Sequence, residues 1–244
     1  MKKQRTVLLA FNFLLLSLIF FSCNRDDPSE AAEVFITLIT KTEFAKDMQQ
    51  GGPIQINEAI FGITGLEFET AEENNLEEQF GEEEDEIVEL EATLVYDVLA
   101  NDRTAVIGLF SLPATTYEEI ELDLSPLYPD PKSFSDQTVF ISFTYTSGNE
   151  TYEVEYTNDK EIEIEIKNEF DINGKKIHQI LIELDLDVLL SSIDLSNVTS
   201  DEDGVIRLNA NSNAAIANQI DQSIQQAFKA GEDKDEDGAL SVEG

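Results

Sequence analysis

The sequence predicts an all-β fold, an antiparallel β-sandwich with one C-terminal amphipathic helix. Three observations carry that prediction. Residues Glu161 to Lys167 read EIEIEIK, with Ile162, Ile164 and Ile166 on one face and Glu161, Glu163 and Glu165 on the other, the period of a half-buried strand. The same alternation recurs at Tyr152, Val154 and Tyr156 against Glu153 and Glu155, and at Ile120, Leu122 and Leu124 against Glu119, Glu121 and Asp123. Turn signals punctuate the runs: Ser147-Gly148-Asn149, Asn158-Asp159, Asn173-Gly174 and Asp203-Gly204.

Taken in chain order, Val34 to Thr40 opens the series. Ile54 to Glu69 is a long run interrupted by Gly62 and Gly65, which predict a bulge or bend. Ile87 to Leu99 follows an acidic stretch, and Ile120 to Leu124 comes next. Thr138 to Thr146, Thr151 to Thr157, the run from Ile162 and Ile177 to Asp187 then predict four strands in sequence, a meander, and Val205 to Leu208 adds a short strand. Seven to nine short strands with regular turns are the pattern of a sandwich. Beyond residue 212 the period changes to that of a helix. Asn213 stands at the capping position, Ile216, Ile220, Ile224 and Phe228 form an apolar stripe, and Gly231 is placed to end it.

Composition narrows the function. The 244 residues include 51 acidic and 15 basic side chains, a net charge of -36, with one His, one Cys and no Trp. A single His and a single Cys exclude a His-rich or Cys-rich zinc site, a bis-His haem or a disulfide framework within one chain. Nucleic acid is excluded as a partner because phosphate binding depends on Lys and Arg displacing counterions. An apolar content of 41% still suffices for a buried core.

The N-terminus supplies an address. Lys2, Lys3 and Arg5 precede an apolar stretch from Val7 to Phe21, the pattern of a secretion signal. About 15 apolar residues reach roughly 22 Å as a helix, short of the ~30 Å hydrocarbon core, so a removed leader is expected and not a transmembrane anchor. Cys23, the sole cysteine, follows Ser22 at the end of this stretch, and the arrangement resembles a bacterial lipobox. That resemblance implies that Cys23 is the acylated first residue of the mature protein, holding it at a membrane through its lipid chains. Asn24-Arg25-Asp26-Asp27-Pro28 resembles the export tag of surface lipoproteins, which implies the outer membrane. The expected organisation is a signal peptide at 1–22, acylated Cys and linker at 23–32, a β-sandwich domain at 33–212, and a helix with an acidic tail at 213–244.

A second resemblance covers about Val34 to Leu190. A strand from Ile56 to Glu69, an acidic loop, Tyr96-Asp97-Val98-Leu99, and then Leu112-Pro113-Ala114-Thr115-Thr116-Tyr117-Glu118-Glu119-Ile120-Glu121-Leu122 follow in order. This is similar to a family of secreted bacterial lipoprotein domains whose core reads strand, YDLL, LPAGTYxxIxL. It implies a β-sandwich and no activity. Thr115 stands where the family has Gly.

Three constellations are candidates for chemistry. Asp233, Asp235, Asp237, Gly238, Leu240 and Ser241 reproduce positions one, three, five, six, eight and nine of an EF-hand loop, in which carboxylate and hydroxyl oxygens converge on Ca²⁺. Position twelve is Gly244, with Glu243 one place early. The readings are a calcium loop ligated by Asp233, Asp235, Asp237 and Ser241, or a solvated acidic tail. Glu67 to Glu91 contains 13 acids and no base, a solvated loop whose partner, if any, is a divalent cation or a basic protein. His178 shares the parity of Ile180, Ile182 and Leu184, which reads as a core histidine or a general base. Asp185 and Asp187 lie together on the opposite face of that strand and are the carboxylate pair a hydrolase would use. The function expected from all of this is a lipid-anchored, non-catalytic envelope module, with a cell-surface hydrolase or a structural subunit of an envelope complex as alternatives.

Overall fold

The computed structural model describes residues 31–42, 54–70, 86–99, 104–127, 136–174, 176–191, 193–235 and 237–240, the backbone alone for 86–93. The expected signal peptide, Cys23 and linker residues 24–30, residues 71–85 of the acidic stretch and Ser241 lie outside the described residues, whereas Ala31 and Ala32, expected in the linker, already belong to the first strand, with Ala32 buried in the core.

Strands β1 (Ala31–Lys41), β2 (Ile54–Thr70), β3 (Glu86–Asp97), β4 (Thr104–Pro113), β5 (Thr116–Leu124) and β6 (Val139–Ser147) come first. They are followed by β7 (Glu150–Asn158), β8 (Ile162–Asp171), β9 (His178–Asp185), helix α1 (Leu186–Leu190), β10 (Ile206–Leu208), helix α2 (Ala214–Ala227) and β11 (Phe228–Glu232). They form a four-stranded sheet, β11-β9-β1-β4, and a seven-stranded sheet, β10-β7-β6-β2-β5-β8 with β3 also on β2. The alternating residues of both sheets turn inward to one continuous core. Val34, Ile36 and Leu38 of β1 and Ile180, Ile182 and Leu184 of β9 belong to it, with Phe61, Ile63, Ile141 and Phe143 of the larger sheet. Phe61 of β2 meets Phe228 of β11 edge to face at 6.1 Å, a contact that joins the two sheets.

The all-β sandwich expected from the alternation is present, but it is not purely antiparallel. β1 runs parallel to β9, and β10 parallel to β7. The expected meander stops after its first hairpin. β6 and β7 pair around Gly148, whose φ of 64° suits a turn residue without a Cβ. From there β8 crosses to the far side of β5, with Ile120 opposite Ile166, and β9 leaves for the other sheet. Period-2 alternation specifies which face a residue occupies and says nothing about which strand lies beside it. Asn173-Gly174 is accordingly a link between sheets and not a hairpin turn.

The C-terminal segment also departs from expectation. α2 ends at Ala227, and Phe228 begins β11 with φ -97° and ψ 139°. The helix buries Ala217, Ile220, Ile224 and Ala227, while Phe228 and Ala230 bury their side chains from an extended backbone and Gly231 lies within the strand. The segment after residue 212 is thereby built into the sandwich: β11 is an edge of the smaller sheet, and the compact unit spans Ala31–Gly244. Asn213 does precede the helix, yet its side chain makes no capping hydrogen bond. With φ 50°, it donates from Nδ2 to the Thr199 and Arg207 carbonyls and accepts from the Thr199 N–H, tying the helix start to the loop before β10.

Gly62 and Gly65 mark the irregularity the sequence predicts, here a shift of register. β6 pairs with β2 over Ile54–Phe61 and β5 over Ile63–Thr70, so the partner changes at Gly62, and the register shifts between Ile63 and Gly65. Gly62 donates to the Thr138 carbonyl and accepts from Ser125 N–H, each at 2.9 Å.

The outer face of the larger sheet is a carboxylate ladder. Glu67, Glu121 and Glu165 are direct cross-strand neighbours, and so are Glu69, Glu119 and Lys167. Lys167 lies 3.4 Å from both Glu119 and Glu165 and offsets part of the repulsion. Partial burial, and then the charges of Glu163, Glu67, Asp123 and Glu69, push the Glu121 carboxyl up to about 7 from 4.5. A carboxyl raised in the folded state takes up a proton on folding between those two values, so stability falls as pH rises from 4.5 towards 7. The chain is therefore expected to melt at a higher temperature at pH 5 than at pH 8. Glu121→Gln should recover about 1 kcal/mol at pH 8 and nothing at pH 4, the amount being held down by solvent screening of a partly exposed group. Thermal melts of both chains across that range check this; an equal effect of Glu121→Gln at pH 4 and pH 8 would contradict it.

Candidate functional site

Strand β11 carries the chain directly into the acidic loop. Its ladder with β9 continues one residue beyond the strand, where Asp233 N–H donates to the Gln179 carbonyl at 2.9 Å. Asp233 is buried, and its carboxylate accepts from Asp237 N–H at 3.2 Å and Gly238 N–H at 3.0 Å. Asp237 in turn accepts from Ala239 N–H at 2.9 Å, and Gly238 takes a φ of 77°, the left-handed turn that glycine permits. The loop doubles back until Leu240 lies over Gly231, where an added Cβ would be 3.2 Å from Leu240 Cδ2.

This fold gathers three of the four sequence-predicted ligands. One carboxylate oxygen each of Asp233, Asp235 and Asp237 lies within 4.8 Å of the others, a group that could hold a metal ion. Oxygens so grouped can converge on a single hard cation such as calcium. Asp235 and Asp237 are exposed. The predicted fourth ligand, Ser241, lies outside the described residues. One feature of the EF-hand pattern is overturned: the loop is entered from a strand, not from a helix ending at Gly231.

His178, beside this loop, is fully buried. Its Nδ1 lies 2.8 Å from Glu232 Oε1, and its Nε2 accepts from the Asn173 backbone N–H at 3.0 Å. Lys176 Nζ donates to the same Glu232 oxygen at 2.9 Å. Burial alone would raise the Glu232 carboxyl, but hydrogen bonds from Lys176 and His178 hold it below its usual value. The histidine thus fastens the link before β9 to the end of β11, the core role that its strand parity suggests.

The Asp185/Asp187 pair is not a pair on one strand face. β9 ends at Asp185, which caps α1 by accepting from the N–H groups of Asp187 and Val188. Lys41 Nζ lies 2.8 Å from Asp185, and Thr42 donates to Asp187 at 3.0 Å. The sequence marks this: an Asp preceding a short Leu-Asp-Val-Leu-Leu run is a helix-start signal, and the strand parity extended through Leu186 obscured it. Asp201 and Asp203 likewise converge on Arg207, at 2.7 and 2.8 Å, around a turn with Gly204 at φ 85°. Tyr156 is buried, and Tyr145 and Tyr152 face each other partly buried across β6 and β7.

Among the described residues no helix is long and apolar enough to cross a membrane. The chain matches no protein-family model, no curated protein and no solved structure.

Proposed function

We propose that this protein is a lipid-anchored, non-catalytic module of the outer-membrane surface. It displays an acidic sandwich and takes up a divalent cation, calcium by preference, at Asp233, Asp235 and Asp237, with Ser241 as a further oxygen ligand. The observation that carries the cation assignment is the convergence of the three carboxylates at the end of β11. Oxygen-only ligands suit a hard cation, and in a site left partly open to water the expected affinity is about 10⁻⁴ to 10⁻³ M, that of extracellular calcium modules. A non-catalytic role is supported by the engagement of the groups that would do chemistry. His178 is buried between Glu232 and the Asn173 backbone, and Asp185 caps a helix while pairing with Lys41. The carboxylate ladder of the larger sheet supports a basic protein as the alternative partner.

Calorimetric titration of Ca²⁺ into the chain tests the site. One weakly bound ion is expected, lost in Asp235→Ala and Asp237→Ala, which remove exposed carboxylates and leave the buried Asp233 scaffold in place. Identical heats for wild type and both variants would end the calcium assignment. Mass spectrometry of the native protein tests the anchor separately: a chain beginning at a triply or doubly acylated Cys23 is expected, and an unmodified thiol would remove it.

A further inference from the structure

Strand β4 is an edge of the smaller sheet, and among the described residues it pairs with β1 alone. Its ten residues, Thr104-Ala-Val-Ile-Gly-Leu-Phe-Ser-Leu-Pro113, carry no charge in a chain whose net charge is -36. Two of its large apolar side chains stand in solvent, Val106 at 56% and Leu109 at 55% exposure. Beside them on β1, Phe35 lies opposite Leu109 and Thr37 opposite Val106. Edge strands of soluble proteins are ordinarily guarded by charged side chains because their free N–H and C=O groups template pairing with another chain. This edge carries no charged side chain, and only a bulge at Ile107 and the terminal Pro113 interrupt it.

We infer that β4 is a self-association edge, pairing antiparallel with β4 of a second copy about a two-fold axis. The occupant follows from charge and from register. Two copies of so acidic a chain repel one another over most of their surfaces, so they approach most readily where neither presents a charge. An axis passing between Ile107 and Gly108 sets Val106 of one copy opposite Leu109 of the other, and Thr104 opposite Ser111. All four of these residues belong to the exposed set of β4, so exposed side chains meet exposed side chains and the pairing is self-complementary. Ile107 is bulged relative to β1, since Gly108 faces Ile36 and Val106 faces Thr37. The bulge confines ladder pairing to the segments on either side of the axis, Thr104–Val106 with Leu109–Ser111 of the other copy. The pairing would extend the smaller sheet across the two copies from four strands to eight.

Sedimentation equilibrium of the whole acylated chain in density-matched detergent, over a range of protein concentration, tests this. A reversible dimer is expected, weakened ~tenfold or more in Val106→Lys/Leu109→Lys, because each dimer would then oppose like charges across a desolvated ladder. Circular dichroism reports whether that variant is folded. Hydrogen exchange on the wild-type chain needs no variant: protection of Thr104–Pro113 should rise with protein concentration while that of β6 and β7 stays constant. A wild-type chain that remains monomeric, a dimer undiminished in a folded variant, or exchange at β4 independent of concentration would each overturn the inference and leave the edge to a different protein.

Discussion

Gly62→Ala is expected to destabilise the chain by about 3 kcal/mol, lowering the melting temperature by roughly 6 to 12 °C for a domain of this size. The reason is a close approach and not an unusual backbone angle. Gly62 sits where β2 changes partner from β6 to β5, and a Cβ there would overlap the Ser125 carbonyl oxygen and come within 2.9 Å of Leu127 Cδ2. The leucine tip can move, but the carbonyl belongs to backbone pinned by the Ser125 N–H bond to Gly62 itself. Relief therefore requires separating β2 from the segment after β5, inside a buried core. Gly148→Ala is the control. Its φ of 64° disfavours a side chain, yet nothing lies within 4 Å of the added Cβ, so about 1 kcal/mol is expected. Urea unfolding of both variants measures the difference. Equal costs would mean that the sheet tolerates a wider spacing at Gly62 than the packing indicates.

Asp185→Ala should cost about 2 to 3 kcal/mol, the second large effect, since one side chain performs two tasks. It caps α1 through two backbone N–H groups and pairs with Lys41 from a buried position, whereas Lys41 itself is half exposed. Asp185→Asn keeps a capping oxygen and loses the charge, so it should recover roughly half of that cost. The acid side of the stability profile offers a further check. Burial would raise the Asp185 carboxyl, but the Lys41 ammonium and the N–H groups of Val188 and Asp187 outweigh it and hold it below 3.8. A carboxyl lowered in the folded state contributes its stability above the unfolded value and loses it as pH falls through the folded one. Wild type and Asp185→Ala should therefore differ most above pH 3.8, and the gap should narrow as pH falls below that value. A gap that persists unchanged into that acid range would assign the loss to packing and not to the charge.

The two predictions mark different depths of legibility. Gly62 was visible as an interruption in a long apolar run, and an irregularity of register and partner is there. The close approach to Ser125 was not, because it depends on a strand more than sixty residues away in sequence. Asp185 and Asp187 invited a catalytic reading since they are neighbours in sequence with the right spacing for one strand face. The strand ends between them, and the first becomes a helix cap. Phe228 fitted the helical stripe of Ile216, Ile220 and Ile224 as well as it fits a strand. Burial against Phe61 is compatible with either backbone, and pairing of Phe228 with Leu184 of β9 decides for the strand.

What the sequence determined by itself is the set of faces. Alternation assigned Ile164, Ile166, Leu122, Val154 and Tyr156 inward and the glutamates between them outward, and all five are buried. That much is local, since the pleat sends successive side chains to opposite sides whatever lies beside the strand. The gathering of Asp233, Asp235 and Asp237 was equally legible, because a six-residue loop closing on a glycine is fixed by short-range hydrogen bonds. Only the tertiary structure decided the neighbours: β1 parallel to β9, β8 on β5, and β4 left at an edge. Strand order follows from how two sheets share one core volume, a condition on the whole chain to which no single stretch of residues carries the answer.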